Sequence, residues 1–307
     1  MDRRTFLKWQ MQGMLAASLA PNILCHISEA IAAPTVPDIA VARGTPAAAA
    51  RAAVQALGGM GRFVKPGQRV VIKPNMSFAR GPETATNTHP DVVREVLVMV
   101  KEAGAASVRV LDHSLQNAEQ ALTLSGIRDA CNSIEQGICH HLMDAKFYRN
   151  AEFMDAVEMK SNAVMTDVLE ADVIIAVPVA KHHSGAGVSL SLKGQMGLIL
   201  DRSSMHSRYD LQSAIVDLNT RLRPDLAIID ATRVLTSRGP SGPGDVITPG
   251  EIIASADPVA ADAMAVSSYE WYGRKVEPRQ VGHIRLAHER GLGRMDIDKL
   301  LIKKVVA

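Results

Sequence analysis

Short apolar runs that stop abruptly on proline or polar residues constrain this chain more than any other feature. Val70-Val71-Ile72-Lys73 leaves a turn at 64–69 and halts at Pro74-Asn75. Ser107-Val108-Arg109-Val110-Leu111 closes on Asp112-His113-Ser114. Runs of this length and β-branched content predict buried strands. Between them Thr88 can cap a helix, Pro90 sits in its first turn, and Asp91 suits the positive end of the helix dipole. The predicted helix covers 92–103 and ends at Gly104. Strand, helix and strand with short joins form a βαβ unit, so the sheet is expected to be parallel. Further apolar runs at 171–177, 226–230 and 252–255 surround an amphipathic helix at 211–222. Asp257 is expected to cap a helix that starts at Pro258. Residues 115–165 carry weak signals and are expected to form a helical insertion. The expected fold is therefore α/β, a mainly parallel sheet flanked by helices, in a single domain with that insertion.

The N-terminus has a separate logic. Arg3-Arg4-Thr5-Phe6-Leu7-Lys8, a mildly apolar stretch broken by Pro21, and Ala30-Ile31-Ala32 stand in the order of a twin-arginine export signal with a small-x-small cleavage site. The expected division is a signal peptide at 1–32 and an α/β domain at 33–307. The expected location is the periplasm, with the twin-arginine translocase as partner during export. The apolar stretch is too short for a stable membrane span. Leu24 precedes Cys25 where a lipoprotein signal wants a small residue, which argues against a lipid anchor. Over the whole chain 34 basic residues face 32 acidic ones, so nothing indicates nucleic acid as a partner. Cys131 and Cys139 could pair as a structural disulfide in an oxidising compartment. Two thiols are too few for iron–sulfur ligation, and no such cluster is expected from this chain.

Val71-Ile72-Lys73-Pro74-Asn75, Thr88-His89-Pro90-Asp91-Val92-Val93 and Lys181-His182-His183 come first in a series of motifs. Leu192-Lys193-Gly194-Gln195-Met196-Gly197 and Asp225-Leu226-Ala227-Ile228-Ile229-Asp230 follow. Gly239-Pro240-Ser241-Gly242-Pro243-Gly244 and Ser255-Ala256-Asp257-Pro258-Val259-Ala260-Ala261-Asp262 complete it. In this order they resemble the bacterial domain-of-unknown-function 362 family, from about Arg69 to Tyr272. The resemblance implies a fold and a motif set, but no activity. It implies no cluster domain here, because the dense cysteine run of some members is missing. Lys193-Gly194 stands where the family usually has Lys-Asn, Asp230-Ala231 where it has Asp-Gly, and Thr236-Ser237-Arg238 replaces acidic or glycine positions. A looser similarity runs to the nickel-dependent lactate racemases, which also place basic and His residues on strand-end loops.

Two constellations carry candidate chemistry. His182 and His183 follow a strand and point in different directions, so each needs other ligands. With His89 or His113, and Asp112 or Asp230, they form a candidate divalent-metal set of the mixed His and carboxylate kind, with His89, His182, His183 and Asp230 the leading combination. Lys73, Lys181 and Lys193 sit at or just past apolar segments, where cations can meet a small anionic ligand. Asn75 and backbone amides of the loop at Gly239, Gly242 and Gly244 could complete such a cradle. Asp262, inside an apolar helical run, is either ion-paired or held with a raised pKa. The motifs of serine hydrolases, phosphate loops and dinucleotide folds are not found. The expected function is an enzyme acting on a small anion, with Lys181, His182, Lys193 and Asp230 as catalytic candidates. The alternative is a non-catalytic binding or assembly factor for a redox or metal system.

Overall fold

The computed structural model describes residues 36–307, so the twin-arginine signal lies outside the described residues. Strand β1 (Ile39–Arg43) and helix α1 (Pro46–Ala56) precede the βαβ unit of β2 (Arg69–Pro74), α2 (Pro90–Glu102) and β3 (Ser107–Asp112). Helices α3 (Ala118–Leu124) and α4 (Ile127–Asn132) lead to β4 (Cys139–His141) and the hairpin β5 (Tyr148–Glu152) and β6 (Ser161–Met165). The single turn α5 (Thr166–Leu169) opens onto β7 (Val173–Val177), β8 (Val179–His183) and β9 (Gly187–Ser189). Then come α6 (Ser191–Gly194), α7 (Ser203–Ser207), α8 (Leu211–Arg221) and the long β10 (Leu226–Leu235). The chain closes with β11 (Val246–Ile247), β12 (Glu251–Ser255), α9 (Pro258–Ser268), the small pair β13 (Glu270–Trp271) and β14 (Arg274–Lys275), α10 (Gly282–Glu289) and β15 (Ile302–Val306).

The main sheet runs β15-β1-β12-β10-β7-β2-β3-β4. Pairings from β10 through β7, β2 and β3 to β4 are parallel, as is β1 with β15, while β12 is antiparallel to both its neighbours. The sheet is thus mainly parallel and flanked by helices. Strand periodicity divides its core into two. Val70 and Ile72 of β2 and Val173 and Ile175 of β7 pack with Val54 of α1 and Val92, Val96 and Val100 of α2. Val71, Leu111 and Ile174 point to the opposite face, with Ile215 and Leu218 of α8 and Val259 and Val266 of α9. Lys73 follows Val71 in the alternation, so it emerges at the C-terminal end of β2 on the α8–α9 side.

Local outcomes differ from expectation at three places. His89, not Thr88, caps α2: its Nδ1 accepts the Asp91 N–H at 3.1 Å. Thr88 donates its hydroxyl to the Val177 carbonyl at 2.7 Å and accepts the Asn75 N–H at 2.9 Å, joining β2 to β7. The segment 115–165 is helical only in its first half, because β4 joins the main sheet and β5–β6 form a separate hairpin. Asp217 anchors that hairpin by accepting the N–H groups of Val157, Glu158 and Met159 and pairing with Arg290 at 2.7 Å. Cys131 and Cys139 are buried free thiols. The Asp257 cap forms as expected, its carboxylate accepting the Val259 and Ala260 N–H groups. Residues Pro37–Ala307 make one compact unit, and no helix among those described is long and apolar enough to cross a membrane.

Candidate functional site

Where β2 and β3 end, a cavity of about 420 Å³ opens between the sheet and the segment 189–206. Its floor is the buried pair Lys73–Asp112, with Nζ 3.2 Å from Oδ1. Asp112 cannot leave this position easily. It also accepts the Met76 N–H at 3.1 Å, the Ser77 hydroxyl at 2.9 Å and the His113 N–H at 2.9 Å. Burial alone would raise its carboxyl, but Lys73, His141 and Arg202 hold it below the usual carboxylate range. Gly197 makes the pair possible. A Cβ at that position would lie 2.0 Å from Asp112 Oδ1 and 2.5 Å from Lys73 Cε.

Above this floor the wall is cationic. Lys181 of β8 is 2% exposed, lies 4.8 Å over the Phe78 ring and donates to the Thr86 carbonyl. Lys193 projects from α6, a single turn anchored at its first two residues. Asp262 accepts the Ser191 and Leu192 N–H groups at 2.8 and 3.0 Å, and Asn219 donates to the Leu192 carbonyl at 2.9 Å. Arg202 completes the set and donates to the Ser114 carbonyl at 2.9 Å. Four cationic side chains therefore face the cavity with one carboxylate among them. Burial, reinforced by Lys193, pushes the Lys181 amine down to about 7. Burial, then Arg202 and Lys73, pushes Lys193 down to about 8. Both shifts have the same physical origin: charge is disfavoured where water is scarce and cations crowd. Phe78, Leu115, Met196, Leu200 and Pro240 supply an apolar portion of the lining.

His183 and His206 stack on this wall with ring centroids 5.9 Å apart and planes 7° from parallel. His183 Nδ1 accepts the Gly185 and Ala186 N–H groups, both at 3.1 Å. The neutral ring therefore carries its proton on Nε2, and burial pushes its pKa down to about 2. With its lone pair occupied by the backbone, this imidazole offers nothing to a metal ion.

The expected metal set is not assembled. Among the described residues no three His, Cys, Asp or Glu side chains lie close enough to hold an ion. His182 alternates away from Lys181 and His183 and lines a second cavity of about 270 Å³, edge-on to Tyr272 at 4.5 Å. His89 serves as a helix cap. Asp230 lies outside the main cavity, and four donors already fill its acceptor positions: the His89 N–H, the Thr232 N–H and hydroxyl, and Arg233 at 2.6 Å. The expected catalytic roles of His182 and Asp230 in the anion site are corrected accordingly. Asn75 does line the cavity, with its side-chain oxygen accepting the Val179 N–H at 3.1 Å. Gly239 and Gly244 are required for close backbone approach, since a Cβ would fall 1.9 Å from the His182 carbonyl and 2.0 Å from that of Ser237. Of the 239–244 loop, Pro240 lines the cavity, while the three glycines do not. The expected anion cradle lacks Asp112, Arg202 and His206, all of which line the cavity. Their signal was charge close to a strand end or just after the apolar run at 198–200.

The thylakoid-associated protein sll1697 of Synechocystis sp. is 26% identical over 226 residues, spanning 71% of this chain and 68% of its own length. Among solved structures, the lactate racemase apoprotein of Thermoanaerobacterium thermosaccharolyticum superposes with a TM-score of 0.48 at 13% identity over 74% of this chain. A structural-genomics protein from Thermotoga maritima gives 0.42 at 13% identity over 73% of this chain. The chain spans only 56% and 59% of those two proteins. The family described as Domain of unknown function (DUF362) matches residues 70–267, which include nearly all of β2, the cationic wall and most of α9, and the chain belongs to that family.

Proposed function

We propose that this protein is an enzyme that binds a small organic anion in the cavity at the ends of β2 and β3. The observation that carries this reading is the charge imbalance of the lining: Lys73 is neutralised by Asp112, whereas Lys181, Lys193 and Arg202 have no carboxylate partner among the described residues. Desolvated cations without counter-charge are unfavourable, and an anionic ligand relieves that penalty. A cavity of about 420 Å³ suits a small metabolite rather than a polymer. Lys181, Lys193 and Arg202 would hold the anion, and the His183 Nε2–H is a fixed donor on the same wall. Calorimetric titration of the purified chain with sulfate and with pyruvate tests this. Saturable binding that weakens at least ~150-fold in Lys181→Met/Arg202→Met is expected, as loss of two charge-assisted hydrogen bonds of about 1.5–3 kcal/mol each implies. A folded wild-type protein that binds neither anion refutes the reading.

The cellular site of action belongs to the same proposal: export to the periplasm by the twin-arginine route. Its support is the order of Arg3-Arg4, the apolar stretch and Ala30-Ile31-Ala32. Changing Arg3 and Arg4 together to lysine is expected to abolish accumulation in the periplasmic fraction, and unchanged accumulation would sink the claim.

A further inference from the structure

Lys193 differs from the other cations of the cavity. Lys73 is paired with Asp112, Lys181 donates to Thr86 and Arg202 to Ser114. The Lys193 amine has no hydrogen-bond or ion-pair partner among the described residues. The backbone just before it is nonetheless held fast, by Asp262 and Asn219 at Ser191 and Leu192, the first two residues of α6. An unpartnered amine on a rigid turn, in a wall poor in water and beside other cations, is the arrangement that makes lysine a nucleophile rather than a counter-ion. Resting on the anion-site reading, we propose that Lys193 condenses with the carbonyl carbon of a 2-oxo acid whose carboxylate lies against Arg202 and Lys181, forming an imine in the cavity.

The surrounding groups suit each part of that step. The Nζ lone pair attacks the carbonyl carbon, the π pair moves onto oxygen, and proton transfer from nitrogen gives a carbinolamine. Protonation of its hydroxyl lets water leave as nitrogen closes the C=N bond. Amine and oxo acid thus become imine and water, with no oxidant or reductant consumed. In the empty cavity about a tenth of the amine is neutral at about pH 7 and half at about pH 8, because burial, Arg202 and Lys73 lower the Lys193 pKa to about 8. Lys181, charged against the bound carboxylate, can supply the proton to the departing hydroxyl. The His183 Nε2–H can donate to the same oxygen. The titratable and charged groups electrostatically coupled to Lys193 are Lys73, Lys181, Asp112 and Arg202, with His183, His206 and the buried His283. The imine would withdraw electrons from the adjacent carbons, so the reaction class is cleavage of a C–H or C–C bond next to the former carbonyl.

The test is reductive trapping. The full chain is incubated with pyruvate and cyanoborohydride, and adducts are mapped by peptide mass spectrometry, with sulfate titration run in parallel. The expected result is an adduct on the Lys193 peptide at least ~10-fold above that on the exposed Lys303 and Lys304. It is expected to vanish in Lys193→Arg, checked as folded by its melting curve, and to remain on Lys193 in Lys181→Arg. Trapping spread evenly over surface lysines, or confined to Lys181, overturns the imine assignment. If sulfate still binds in that case, the anion-site reading survives alone; if neither anion binds, both fall.

Discussion

Anion binding should recharge the cavity, so ligand affinity and proton uptake are coupled. With the cavity empty, Lys181 and Lys193 titrate at about 7 and about 8. At about pH 8, roughly nine-tenths of Lys181 and half of Lys193 are therefore neutral. An opposite charge within reach raises a lysine pKa by about 1–3 units, which returns both amines to values near their ordinary one. Sulfate binding at about pH 8 is then accompanied by uptake of roughly one and a half protons, and at about pH 6 by almost none. Because the bound state holds more protons, affinity falls as pH rises, by about tenfold or more per unit between about pH 8 and 9.5. Each decade corresponds to about 1.4 kcal/mol of binding free energy. Sulfate is the suitable probe because its own charge is constant across this range. Calorimetry in two buffers of different ionisation enthalpy measures the uptake directly. Uptake near zero at about pH 8, with binding intact, would refute the physical account of the wall as a set of partly discharged amines.

Other substitutions test the frame of the site. Lys73→Met leaves Asp112 buried without its cation and is expected to lower unfolding free energy by about 3–5 kcal/mol in denaturant titrations. Gly197→Ala forces a Cβ onto the Lys73–Asp112 pair, with an expected loss of about 1–3 kcal/mol and a weakened sulfate affinity. Asp230→Ala removes the partner of Arg233 and is expected to cost about 3–5 kcal/mol while sulfate affinity stays within ~2-fold, since the residue lies outside the cavity. Asp262 is raised by burial from 3.8 to about 7. The folded state thus binds more protons than the unfolded state across that window, and the stability of wild type relative to Asp262→Asn should shrink as pH rises through it, by roughly 4 kcal/mol in all.

The lysines were legible because each interrupts or follows an apolar segment, and a parallel sheet gathers strand ends at one edge. Asp230 was misjudged for a related reason. The apolar run stops there, yet β10 continues through Ala231-Thr232-Arg233-Val234-Leu235, all buried, so the residue is mid-strand and pairs with Arg233. Arg202 and His206 lie in a segment with no periodicity, and only the packing of α6 and α7 over the sheet brings them to the cavity. The histidine pair could be read only halfway. Strand alternation separates His182 from His183, but the sequence carries no sign that backbone amides at Gly185 and Ala186 occupy the His183 lone pair. The hairpin at 148–165 stayed hidden because its strands carry many exposed residues and lie apart from the main sheet.

Strand β8 is a partition with different chemistry on its two sides. Lys181 and His183 line the cationic chamber, while His182, between them in the chain, meets Tyr272 and the smaller chamber that also contains Trp271. Neighbouring codons therefore control separate compartments. A mutational library at position 182 could reshape the aromatic chamber while the charge of the cationic one is kept, and a library at 181 or 183 could do the reverse. A relative with a different residue at 182 alone need not differ in which anion it holds.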